Sequence, residues 1–163
     1  MNYFELYEIP VAPLVNASVI KKKYYELSRK YHPDFFTGAD EAEQKNVLEK
    51  SSDVNKAFKI FSDEDETLKY FLMLTNVLAE EEKYELPSGF LMEMLELNEE
   101  LQMAEDTTPI QSQISNLKSQ IYEPVKKIME GYTADNIAEK ELLQLKEYYY
   151  KKKYLNRILA GTK

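Results

Sequence analysis

The chain contains no cysteine. That excludes a disulfide framework and a thiolate site, and it fits a reducing compartment. It contains one histidine, His32. A zinc site takes three or four ligands, and a catalytic imidazole needs an orienting partner. Only carboxylates could complete such a centre around His32, so no metal and no cofactor are expected. Long apolar runs are also missing. None approaches the roughly 18 residues of a membrane span. The first residues, "MNYFELYEIP", lack the basic and apolar regions of a secretory signal, so a cytoplasmic location is expected. Basic residues are the minority, 21 against 29 acids, for a net charge of −8. Nucleic-acid binding draws on phosphate neutralisation, so the balance argues against it but leaves room for a local basic patch. Glycine is scarce, at 4 residues, and proline at 6. No stretch alternates as a strand would, and no segment repeats.

What remains is helical periodicity, which predicts an all-α fold. "FELYEIP" reads as a short helical turn closed by Pro10. "NASVIKKKYYELSRKY" follows with Asn16 or Ser18 as its cap. Ile20, Tyr24, Leu27 and Tyr31 fall on one face of it. The other surface carries Lys22, Lys23, Arg29 and Lys30, a basic helix inside an acidic protein. Pro33 disfavours helical backbone at His32, so the helix stops near Tyr31. A polar loop leads to a second helix at about 40–61, with Val47, Ser51, Val54, Phe58 and Phe61 on one face. Two helices joined by a short loop are expected to pack antiparallel. A further helix opens in "SDEDETLKYFLMLT". Residues 76–87, acidic and closed by Pro87 and Gly89, read as a linker. Three helices follow, at about 88–105, 108–131 and 134–160.

Two constellations carry functional information. His32-Pro33-Asp34 is a helix stop with an exposed polar tip beside a positive flank. It reads as a structural corner, or as a docking surface for an acidic partner patch. The second is "FLMEMLELNEEL". Phe90, Met94, Leu97, Leu101 and Ala104 form one stripe, sufficient for a core. Leu91, Met92, Leu95 and Met103 form another, among five glutamates and no cation in 88–105. This helix is either buried on two sides, or it displays an apolar patch rimmed by acids, as protein-binding sites do. "KEYYYKKKYLNR" fits an amphipathic last helix with snorkelling lysines better than a nucleic-acid stacking platform. A coiled-coil role through the long charged helices is a structural alternative.

Tyr31-His32-Pro33-Asp34, after "IKKKYYELSRK" and before "VNKAFKIFSD", resembles the J-domain of DnaJ-type co-chaperones. The ordered set "YFELYEIP", "YHPDFF", "KSSDVNKAFKIF" and "FLMEMLELNEEL" is similar to the HscB family of iron–sulfur cluster co-chaperones along the whole chain. The resemblance implies an L-shaped, non-enzymatic protein. Residues 1–75 would be the J-domain helical hairpin, 76–87 a linker, and 88–163 a three-helix bundle. It implies that Lys22, Lys23, Arg29, Lys30, His32, Pro33 and Asp34 contact a DnaK/HscA-type chaperone and activate its ATPase. It implies that Leu91, Met92, Leu95, Glu96 and Glu99 hold an IscU-type scaffold, with an aromatic of the last helix, Tyr148 or Tyr149. The family's further acidic position falls on Met103 here, and its N-terminal cysteine zinc site has no counterpart. A J-domain protein for a different client is the alternative reading.

Overall fold

In the computed structural model, the helices of the N-terminal half begin where a side-chain oxygen meets otherwise unpaired N–H groups. The structure describes residues 1–132 and 137–162. They form two compact units, Met1–Phe71 and Leu72–Lys163, with no strand among the described residues. In the first unit, α1 (Tyr3–Leu6) opens on a reciprocal pair between Asn2 and Glu5. It ends before Pro10. Glu8 turns left-handed at φ 55°, and the Ile9 N–H returns to the Phe4 carbonyl, a helix stop that needs no proline. Asn16 caps α2 (Ala17–Lys30) by accepting from the Ser18 and Val19 N–H groups. Asp40 caps α3 (Glu41–Phe61). Asp63 accepts from Asp65 and Glu66 at the start of α4 (Glu64–Leu74).

α2 and α3 form the expected hairpin. Ile20 and Phe61 line one cavity, and Tyr24 stacks on Phe58 at 4.1 Å and donates to Asn55. Position rises along α2 as it falls along α3, so the pair is antiparallel. Ile20, Leu27, Val47, Val54, Ala57 and Phe61 are buried. Around them the core is aromatic: Phe4 and Tyr7 both meet Phe61, and the buried Tyr7 hydroxyl donates to the Val54 carbonyl at 2.7 Å. Tyr24, Tyr31, Ser51 and Phe58 complete the two expected faces half-buried.

In the second unit, α5 (Ser88–Met103), α6 (Thr108–Tyr122) and α8 (Glu139–Ala160) enclose an aliphatic core of Met94, Leu97, Ile110, Ile114, Leu155 and Ile158. Phe90, Leu101 and Ala104 pack on its edge, so the expected core stripe of α5 is the one used. Two expected boundaries change. The continuous helix at 108–131 is broken by a tight turn at Glu123–Val125, and α7 (Lys126–Gly131) restarts after it. Pro124 is the cause: it lacks an N–H, and its ring crowds the carbonyl one turn back. The expected start of the last helix falls on residues 134–136, which lie outside the described residues. Ile137 and Ala138 are not helical, and α8 begins at Glu139.

Residues 76–87, expected to be a linker, pack against α8. The Glu82 carboxylate lies 3.0 Å from the Lys146 ammonium and accepts from the Tyr150 hydroxyl at 3.3 Å. The Tyr84 ring stacks on Tyr150 at 4.5 Å, nearly parallel. Partial burial alone would raise the Glu82 carboxyl. The hydrogen bonds from Lys146, the Ala79 N–H and Tyr150, together with the Lys146 charge, outweigh it and hold the group below its usual range.

Candidate docking surfaces

The His32 loop is built by a cap. Pro33 demands extended backbone at the residue before it, and His32 sits at φ −72°, ψ 126°. Pro33–Phe36 then form a single 3-10 turn, and the His32 side chain serves as its cap: Nδ1 accepts from the Asp34 N–H at 3.2 Å. An accepting Nδ1 puts the proton of the neutral imidazole on Nε2. The Asp34 carboxylate lies 3.7 Å from the same nitrogen. From α3, the Gln44 amide donates to the carbonyls of Phe36, Thr37 and Ala39 at 3.1, 3.2 and 3.2 Å. The loop is therefore tied at both ends while its tip stays open. His32, Pro33 and Asp34 are exposed, and Phe35 is 72% exposed with its ring edge-on to His32. Beside it, Lys22, Arg29 and Lys30 are exposed. Lys23 is half-buried and lies 3.5 Å from the Glu8 carboxylate, so its charge is already partly answered.

The second surface is the outward face of α5. With Met94 and Leu97 turned into the core, Met92 is left 64% and Leu95 57% exposed. Of the two readings of this helix, the displayed patch is the one realised. Glu93, Glu96, Glu99 and Glu100 are exposed on the same helix. Leu91 is half-buried and lines a cavity of about 610 Å3 with Tyr84, Tyr150 and Tyr154. An apolar centre with a charged rim is the arrangement that proteins use to bind other proteins.

Residues 3–70 match the DnaJ domain, and residues 86–163 match the HSCB C-terminal oligomerisation domain. The chain belongs to the HscB family of J-domain co-chaperones. Co-chaperone protein HscB of Proteus mirabilis is 28% identical over 160 residues, covering 90% of this chain and 92% of that one. The HscB homologue of Shewanella woodyi is 27% identical over 161 residues, covering 97% and 92%. The crystal structure of human co-chaperone protein HscB superposes with a TM-score of 0.81 at 25% identity, covering 99% of this chain and 80% of that one. HscB from Vibrio cholerae shares the fold, with a TM-score of 0.73 at 20% identity over 99% and 95%. This HscB-type chain is thus a J-domain co-chaperone of iron–sulfur cluster assembly. No helix among the described residues is long and apolar enough to cross a membrane.

Within this HscB frame, most of the residues expected from sequence lie on the two surfaces. Two do not. Tyr148 and Tyr149 are buried, with Tyr148 against Tyr122 and Tyr149 edge-on to Tyr150. The helical turn carries them inward, because each is close to Leu145 or Leu155 in angle around α8. The α8 aromatics that line the cavity with Leu91 are Tyr150 and Tyr154, with Tyr154 edge-on to Phe90. Sequence reasoning also passed over Phe35 and Gln44. Phe35 had a signal, an apolar residue at the tip of a polar loop. Gln44 had none, since its role depends on where three carbonyls point.

Proposed function

We propose that the protein is an adaptor without chemistry of its own. The α5 face holds an IscU-type scaffold through Leu91, Met92, Leu95, Glu96 and Glu99, aided by Tyr154. The His32-Pro33-Asp34 loop, with Lys22, Arg29 and Lys30, docks on a DnaK/HscA-type chaperone and stimulates its ATPase. Lys23 contributes less, because Glu8 competes for it. Joining both partners in one complex raises the effective concentration of scaffold at the chaperone. Faster hydrolysis then favours the chaperone's grip on the scaffold, a coupling between the two sites.

The observation that carries this reading is the exposed apolar centre at Met92 and Leu95 among exposed acids, on a chain that also holds a braced and exposed His32 loop. Exposed apolar side chains flanked by acids fit a basic-rimmed apolar partner. The test is ATP turnover by the chaperone in the presence of this protein, the scaffold, or both. Stimulation by the protein alone, increased further by the scaffold, is the expected result. Equal turnover with and without the protein would defeat the reading.

A further inference from the structure

Beyond Leu91 and Tyr154, the cavity beside Leu91 has walls that the scaffold reading does not use. Tyr84 stacked on Tyr150 forms one side, and Tyr154 continues it. At its α8 edge stand Lys153 and Arg157, both exposed. The other carboxylate-facing lysines of α8 are already engaged: Lys146 with Glu82 at 3.0 Å, and Lys151 with Glu147 at 3.1 Å. Lys153 and Arg157 make no ion pair among the described residues. The Arg157 guanidinium lies 5.7 Å from the centre of the Tyr154 ring, and stacking of this kind orients its donors in advance. The acids of the cavity do not cancel these cations. Glu82 is held by Lys146 and Tyr150, and Glu85 is exposed on the segment before α5.

We propose that this cavity is a second subsite of the scaffold-docking surface, receiving an aspartate or glutamate of the scaffold that stands next to an apolar residue. The inference rests on the scaffold reading above and deepens it. Leu91 borders both the α5 patch and the cavity, so one partner surface covers them together. The apolar neighbour fills the tyrosine-walled space. The carboxylate meets Lys153 and Arg157, bidentate at the guanidinium. The whole surface is then charge-bipolar: acidic along α5, basic along the edge of α8. A partner edge with cations over Glu96 and Glu99 and an anion over Arg157 fits in one orientation. Turned end for end, it would set like charges against each other at both places.

The experiment is calorimetric titration of the IscU-type scaffold protein from the same organism into four forms of the full chain: wild type, K153E/R157E, K126E/K127E and L95S. Lys126 and Lys127 are exposed on α7, so their reversal makes the same change in net charge outside the cavity. The expected result is binding about tenfold weaker for K153E/R157E, in line with two exposed ion pairs. K126E/K127E should stay within about twofold of wild type, and added salt should narrow the gap, as screening requires. Unchanged binding by K153E/R157E, beside clear loss in L95S, would overturn the subsite and leave the scaffold reading standing. Equal loss in both charge-reversed forms would also overturn it, since long-range charge would suffice. If the wild type fails to bind, both the subsite and the scaffold reading fall.

Discussion

At the His32 loop, polar groups are displayed on a backbone held by the hydrogen bond that the His32 ring accepts and by those that the Gln44 amide donates. On α5, apolar groups are displayed on a helix whose opposite side is locked into a core by Met94 and Leu97. The loop depends on single atoms in fixed directions. The helix depends on area, shared among several side chains. The first arrangement should fail abruptly when one group is changed. The second should fail in proportion to what is removed, because the helix keeps its place whatever its outer face carries.

The sharpest division of the two surfaces comes from α5. L91S/L95S should cost on the order of 2–4 kcal/mol of scaffold binding, as for buried interface anchors. ATPase stimulation measured without scaffold should be unchanged. Calorimetry and turnover assays read the two effects separately, and a matching loss of stimulation would mean that the surfaces are not independent. The reverse test is H32Q. Stimulation should fall by about tenfold or more, the loss of one group's specific contact, while circular dichroism and scaffold affinity stay as in wild type. Lower helical content in H32Q would make the histidine chiefly a structural corner.

A smaller effect probes what holds the loop. Q44A removes the amide shared by three carbonyls, at a cost of about 1 kcal/mol in stability. Stimulation should drop a few-fold without vanishing, since His32 and Asp34 remain in place. Stimulation equal to wild type would show that the loop holds its shape without α3. The smallest effect belongs to Glu82, in the second unit. Its carboxyl is held below the usual range in the folded chain. The ionised pair therefore adds stability that is complete above the unfolded carboxyl value, about 4.3, and lost as pH falls through the lower folded value. E82Q should melt earlier than wild type at pH 7, by about 1 kcal/mol or less, and the gap should close in acid. A gap that persists at low pH would assign the loss to packing of Tyr84 and Tyr150 rather than to charge.

Much of this was readable beforehand because it depends on neighbours in the chain. Asn16 and Asp40 cap their helices through N–H groups two or three residues ahead, and Pro33 acts on the residue before it. The buried stripe of α5 follows from helical repeat. Pro124 obeys the same local rule. Its break was legible too, yet the apolar periodicity on both sides of it suggested a single helix.

The sequence by itself determined which segments are helices, that His32 stands at a helix stop, and that α5 has two apolar faces. Tertiary structure decided which of those faces is covered. It also turned Tyr148 and Tyr149 inward and left Tyr150 and Tyr154 beside Leu91. It engaged Lys23 with Glu8, and it laid residues 82–84 against α8. The physical reason is range. Caps, turns and periodicity arise from contacts a few residues apart. Burial and charge pairing depend on surfaces brought together from distant parts of the chain, such as Glu82 and Lys146, and no local pattern specifies which surfaces will meet.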